Sequence, residues 1–343
     1  MSRYVLRLSI FFVVALSLLS RAAEAQIPAF DALYVFGDSL ADNGNHLITT
    51  KTLRLNPPLP PSASPHNTYF EGRFSNGYVG VEYLWQALSG QAPGSDGGLK
   101  PFLAQPLLPL GPAVDFAFGG AGTPFIDQNP AGLFLPGLKG QIELFLSARQ
   151  PRKQPKRPLF VIITGANDYS SGPYNVPMSI DAVVGNIVDG VKTLYRDGAR
   201  DVMVLNLPDL GLVPAYGADP FAATQLSLAH NAALKAALDQ LGAQLPKLHV
   251  IQPDLVEAFQ FIPPGMNKTV PALDALFAND PTLPPGFFMS TCLFVAPAAC
   301  KDIPVPFNID LNFVFWDILH PTTEAHRFMA QYMLASLTEY YSH

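Results

Sequence analysis

Charge is scarce in this sequence. Only 14% of its 343 residues are Asp, Glu, Lys or Arg, and the acids outnumber the bases, leaving a formal net charge of −6. A chain that grips nucleic acid needs clustered Lys and Arg against the phosphates, so no nucleic-acid partner is expected. Cysteine is nearly absent: Cys292 and Cys300 are the two, and no histidine stands near them, which excludes a zinc site built on the pair. No His/Asp cluster stands at ligand spacing elsewhere, so no metal and no other cofactor is expected. Beyond residue 25 no apolar run is long enough to cross a bilayer. Internal repeats and clear domain boundaries are missing too. What is plentiful is apolar side chains, 49% of residues, together with 34 prolines. That combination excludes disorder and implies a packed body with long ordered loops.

The first 25 residues stand apart. Arg3 and Arg7 flank the start of an apolar run from Leu8 to Leu19, and Ala23-Glu24-Ala25 offers a small-x-small cleavage site before Gln26. This is the pattern of a secretory signal peptide; the run is short for a membrane span, which disfavours the alternative of an N-terminal anchor. The expected mature protein is residues 26–343, a single domain, exported to the extracellular or periplasmic space and monomeric. In such a compartment Cys292 and Cys300 read as a small disulfide loop rather than as free thiols.

Within residues 26–343 short apolar runs alternate with helical patterns. Ala32–Phe36, Val114–Phe118, Leu159–Thr164, Asp201–Leu207 and Lys247–Gln252 read as strands. Tyr78–Leu88, Gly140–Ala148, Asp181–Arg196, Ala222–Leu241 and Thr322–Leu337 read as helices. Strands alternating with helices predict an α/β fold with a parallel sheet covered on both faces. Two stretches hold no period: the proline-dominated residues 56–66, and Phe261 to Phe315. Both are expected to form lips of a cleft, because long irregular segments in a compact body are usually functional.

The chemistry gathers at the strand ends. After Phe36 come Gly37, Asp38 and Ser39, where the first strand delivers its carboxyl end, and in open α/β sheets ligands sit in that crevice. A serine there is a nucleophile only if the chain supplies a base, an orienter for the base and donors for an oxyanion. On its own, Gly-Asp-Ser reads rather as a helix-capping turn, and the rest of the chain has to decide. Three further blocks follow: Gly119-Gly120 after the second strand, Gly165-Ala166-Asn167-Asp168 after the third, and Asp317-Ile318-Leu319-His320 near the end. Asp317 and His320 lie three apart, so a single turn lets the carboxylate accept from the imidazole, fix its tautomer and leave the other ring nitrogen as a base. His46, His66, His230, His249, His326 and His343 have no comparable partner, and His326 reads as a surface position on the last helix.

Taken together the four blocks resemble the GDSL-type esterase/lipase family, the SGNH hydrolases. Gly37-Asp38-Ser39-Leu40 keeps the tetrad intact, and Gly72-Arg73-Phe74-Ser75-Asn76-Gly77 is similar to a segment common in larger exported members. The likeness runs from about residue 31 to 337. It implies a three-layer α/β/α sandwich around a five-stranded parallel sheet, flavodoxin-like in architecture. It also implies that Ser39 attacks an ester carbonyl, that His320 shuttles its proton and that Asp317 orients His320. The oxyanion donors it implies are the N–H groups of Ser39 and Gly120 and the amide of Asn167, with Gly119 the neighbouring alternative for the glycine. Asp38, Asn45, Gly119 and Asp168 are expected to hold the loops rather than react, and Asp42 and Asn43 to stabilise a turn. The serine does not lie in Gly-x-Ser-x-Gly, so the nucleophile-elbow fold is not indicated. The expected partner is a small-molecule or lipid ester, acyl or aryl, lysophospholipids included. A carbohydrate acetylesterase is the alternative, and a catalytically silent lipid- or glycan-binding relative is the alternative of another class.

Overall fold

The computed structural model describes residues 27–105, 109–128, 132–150, 155–170, 177–260, 262–303 and 312–342. The expected signal peptide lies outside the described residues. Eight strands are present among them: β1 (Ala32–Gly37), β2 (Lys100–Pro101), β3 (Ala113–Asp115), β4 (Ile126–Gln128), β5 (Phe134–Pro136), β6 (Pro158–Ile163), β7 (Asp201–Val204) and β8 (His249–Ile251). The described helices are α1 (Asn45–Thr52), α2 (Gly80–Ser89), α3 (Leu138–Ala148), α4 (Ile180–Arg196), α5 (Pro220–Gln244), α6 (Leu255–Gln260), α7 (Ala272–Leu276), α8 (Cys292–Val295) and α9 (Thr323–Tyr341).

Six strands make one sheet in the order β2-β3-β1-β6-β7-β8, every neighbour parallel. The five strands read from the sequence form its body. The sixth, β2, is two residues of Lys-Pro on the edge, too short and too polar to show as an apolar run. β4 and β5 pair antiparallel as a separate hairpin. Strand β1 shows why the sheet is covered twice. Leu33 and Val35 point into a cluster with Val81, Leu84, Trp85 and Met333 of α2 and α9. Tyr34 and Phe36 point the other way, among Ile142 and Phe145 of α3, Val191 of α4 and Leu234 of α5. Each such fully buried side chain contributes about 1.5–3 kcal/mol, which fixes the register, since a slip of one residue would exchange the faces.

The irregular stretch from 262 to 303 holds more structure than its sequence shows: α7, α8 and a Cys292–Cys300 disulfide. It packs with Leu59, Tyr69 and Trp316 into a satellite core above the sheet; residues 304–311, in the same expected lip, lie outside the described residues. Two histidine expectations are corrected. His249 does have an acidic partner: it pairs with Asp201 in the β7–β8 register, and its Nδ1 lies 2.7 Å from Asp201 Oδ1. The pairing was hidden because register, not sequence spacing, joins the two, and Asp201 begins β7, at the amino end of its strand. His326 is not on the surface but fully buried, its Nδ1 accepting the N–H of Gly80 at 3.2 Å. The side-chain-free start of α2 packs against that face of α9, a contact invisible to helical periodicity.

Burial pushes His326 down to about 3 from its ordinary 6.5, with the nearby His320 adding to the effect. In the unfolded chain the ring takes a proton below pH 6.5, whereas in the fold it does so only below about 3. Stability therefore falls as pH drops through that window, by about 1.4 kcal/mol per pH unit. His326→Gln keeps an acceptor for Gly80 and removes the titration. The stability of wild type minus that of the variant, from urea unfolding, is expected to shrink between pH 7 and pH 5. A difference that stays constant or grows on acidification contradicts a neutral buried ring.

Candidate functional site

Ser39 stands where β1 ends. Gln141 of α3 clamps Gly37, its Oε1 accepting the Gly37 N–H at 2.7 Å and its Nε2 donating to the Gly37 carbonyl at 2.8 Å. The Asp38 N–H then donates across to the carbonyl of Ile163 at the end of β6 (3.1 Å). β1 lies between β3 and β6; the connection from β1 to β3 carries α2 over one face of the sheet, that from β3 to β6 carries α3 over the other, and Ser39 follows β1 at this switch point.

His320 comes from the far end of the chain. Residues 315–321 form a tight turn closed by a bridge between Phe315 and Pro321 and by the Trp316 N–H donating to the His320 carbonyl at 2.7 Å. Thr322 ends the turn by capping α9, its Oγ1 accepting from the Ala325 N–H. Inside the turn the Asp317 carboxylate is fully buried. Its Oδ1 accepts the N–H groups of Leu319 and His320, each at 2.7 Å. Its Oδ2 accepts from the imidazole Nδ1 at 2.7 Å and from the Tyr69 hydroxyl at 2.7 Å. Facing an acceptor-only group, Nδ1 carries the ring proton, which leaves Nε2 bare. Nε2 lies 2.9 Å from Ser39 Oγ. The structure thus brings Ser39, His320 and Asp317 into one continuous hydrogen-bonded line.

Tyr69 was missed by sequence reasoning. It sits just after the proline-rich stretch, where no periodic signal holds, and nothing local marks its hydroxyl as aimed at a residue 248 positions away. Burial, reinforced by Asp317, pushes its hydroxyl well above the ordinary 10, so it stays a donor. The residues that follow grip the same turn. Ser75 Oγ donates to the Pro321 carbonyl at 2.9 Å, and Asn76 Oδ1 accepts the Thr323 N–H at 2.8 Å. Just before them, the Phe74 ring lies 5.0 Å from the imidazole, centroid to centroid. Arg73, in a buried pair with Glu82 at 2.7 Å, ties this segment to α2. A second ring, Phe294 from the disulfide loop, stacks near-parallel on His320 at 6.0 Å.

The two block glycines differ. The Gly119 N–H is consumed by Asp42 Oδ2 at 2.8 Å, whereas the Gly120 and Ser39 N–H groups have no partner among the described residues. Gly120 also takes a left-handed φ of 79°, which admits glycine readily. One hydrogen of the Asn167 amide donates to the Ala121 carbonyl at 3.1 Å, leaving the other available.

Residues 33–333 match the family described as GDSL-like Lipase/Acylhydrolase. The chain belongs to that family. Secreted effector protein SseJ of Salmonella typhimurium is 27% identical over 315 residues, covering 90% of this chain and 64% of the relative. The thermolabile hemolysin of Vibrio parahaemolyticus is 25% identical over 338 residues, covering 94% of this chain and 68% of the relative. The chain thus spans about two thirds of the length of these relatives. Among solved structures, a catalytic mutant of Axe2, an acetylxylan esterase from Geobacillus stearothermophilus, superposes with a TM-score of 0.42 at 11% identity, covering 91% of this chain and 96% of that one.

The remaining polar residues of this GDSL-family site hold backbone. Asn45 Nδ2 donates to the carbonyls of Asp115 and Ala117 at 2.8 and 3.0 Å, fixing the approach to the glycines. Asp168 accepts from the N–H and hydroxyl of Thr123 and secures the Asn167 turn. Asp42 Oδ1 accepts the N–H groups of Gly44 and Asn45, and its Oδ2 those of His46 and Gly119, which joins the start of α1 to the glycine block. Burial raises Asp42 and Asp168 to about 6 and Asp38 to about 7, against the hydrogen bonds that lower them, the Thr123 hydroxyl foremost at Asp168. Asn43 donates to the Leu99 carbonyl at 3.0 Å.

Gly119 is confined by contact rather than by torsion. A Cβ there would lie 2.2 Å from the Phe74 ring. Gly119→Ala must push that ring, and overpacking of this kind costs about 1–3 kcal/mol. The cost, measured by urea unfolding, is expected to shrink when Phe74→Leu is already present. An equal cost in both backgrounds sinks the assigned clash.

Proposed function

We propose that the protein is a carboxylic ester hydrolase working through Ser39, His320 and Asp317. The observation that carries this reading is the unbroken line from Asp317 through the imidazole to Ser39 Oγ, at 2.7 and 2.9 Å. Ser39 Oγ attacks the ester carbonyl carbon as its proton passes to His320 Nε2. The oxygen that gains charge is received by the Ser39 and Gly120 N–H groups and the Asn167 amide. The C–O bond to the alcohol then breaks, and Nε2 gives its proton to the departing oxygen. Water attacks the resulting acyl-enzyme, losing a proton to Nε2; the Oγ–acyl bond breaks, Oγ takes the proton back and a carboxylic acid leaves. Asp317 stays ionised throughout and holds the imidazolium that forms twice per cycle. Tyr69 acts through Asp317, as a positioning residue.

Hydrolysis of p-nitrophenyl butanoate tests the set. Ser39→Ala is expected to fall to background, a loss of about a millionfold. Asn167→Ala should lose about 100- to 1,000-fold in kcat. Tyr69→Phe should lose about tenfold in kcat with KM little changed, the worth of one hydrogen bond to a charged group. Ser39→Ala with wild-type activity ends the reading; a folded wild type inert on every ester favours a relative that only binds lipid or glycan.

We also propose that residues 1–25 are a signal peptide and that one domain, residues 26–343, is exported. The Cys292–Cys300 disulfide supports this, since such bonds persist in oxidising compartments. No helix among the described residues is long and apolar enough to cross a membrane. The intact mass of protein recovered from the export compartment is expected to fit a chain beginning at Gln26. A mass that retains residues 1–25 there contradicts cleavage.

A further inference from the structure

Beside Ser39 the crevice deepens into a cavity of about 130 Å³ bounded by Leu207, Leu210, Val213, Phe259 and Phe315. The polar groups on its wall are largely occupied with protein. Asn206 donates to Asp254 and accepts from the Leu255 N–H, and Ser170 Oγ donates to the Asn167 carbonyl. Asp38 accepts the Leu40 N–H; Thr164 Oγ1, the Tyr216 hydroxyl and one hydrogen of the Asn167 amide are the polar wall groups without a partner among the described residues. At its deep end lie Leu255 of α6 and Met329 of α9, both buried. Behind them is a second, smaller void of about 10 Å³ between α6 and α9, lined by Ala258, Ile262, Ala325 and Phe328. The two voids share Leu255, Phe259, Pro321 and Met329, so those side chains are the partition between them. The partition is braced from outside, where Tyr332 of α9 donates to Glu257 of α6 at 2.6 Å.

Resting on the ester-hydrolase reading, we propose that this cavity seats the acyl group of the substrate and that Leu255 and Met329 set its length. The alcohol must leave during turnover while the acyl group stays bonded to Ser39 Oγ. A mostly apolar seat beside Oγ therefore suits the group that stays. Its size is close to that of the roughly 150 Å³ apolar cavity that takes one benzene, so the seat fits a short acyl chain or a single aryl ring. Longer chains meet the partition, and opening it would join the second void to the first and lead along the α6–α9 groove.

The test is kcat/KM for p-nitrophenyl acetate, butanoate, hexanoate, octanoate and dodecanoate, on wild type, Met329→Ala and Phe259→Ala. Wild type is expected to peak at butanoate or hexanoate and decline beyond. Both variants should raise the dodecanoate-to-butanoate ratio by about tenfold or more, the discrimination that a methylene or two commands in an apolar pocket. Met329 is a core residue, and Phe259, half-buried, reads the same partition if Met329→Ala does not fold. A wild type that prefers dodecanoate, or ratios unmoved in every variant that folds, overturns the seat while leaving the ester reading intact. A wild type inert on the entire series overturns the ester reading, and the seat falls with it.

Discussion

A carboxylate with no exposure to water is costly unless every lone pair is met. Asp317 is such a carboxylate, and meeting its demands shapes the site. Two donors are local, the N–H groups of Leu319 and His320, and they set the turn. Two are brought to it, the imidazole that the turn itself swings round and the phenol of Tyr69. The constraint works outward. Tyr69 reaches the turn from the segment after the proline-rich stretch, and its ring packs in the satellite core that includes the disulfide loop. Stability and chemistry are coupled at this point, since the donors that make Asp317 affordable in the interior also fix the ring that faces Ser39.

The acids near Ser39 divide by environment rather than by position in a motif. Asp317 has two side-chain donors and two backbone donors. Asp42 is bonded to backbone N–H groups and Asp168 to the hydroxyl and N–H of Thr123, contacts that define loops, and burial raises both. Asp38, next to the serine, has one N–H partner from Leu40 and is raised furthest of the three. An acid that readily holds a proton is compatible with the apolar crevice it lines. Sheet, turn and loops thus contribute different things: β1 aims the serine, the 315–321 turn aims the histidine, and the 69–76 segment keeps the second aligned with the first.

Much of this was legible in the chain. β1 and β6 are unbroken apolar runs because both faces of a parallel strand are covered, and their polar exits mark the crevice. Asp317 and His320 could be read together because a single turn joins them. What escaped notice depends on tertiary approach. Lys100-Pro101 becomes a strand only because β3 lies beside it. His249 finds Asp201 through sheet register, and His326 is buried because α9 lies against Gly80. Tyr69 escaped for the same reason at longer range. That the Gly119 N–H is taken up by Asp42 depends on a tertiary hydrogen bond that no spacing rule encodes.

The distance along the chain between Ser39 and His320 has a consequence for the order of events during synthesis. The two are 281 residues apart, so the imidazole nitrogen can reach the hydroxyl only once residue 320 has been made. Domains generally fold as units behind the growing end. A partly made chain therefore carries its serine without the ring that would draw off its proton. In a nascent molecule, or one truncated before residue 320, the Ser39 hydroxyl has no imidazole beside it.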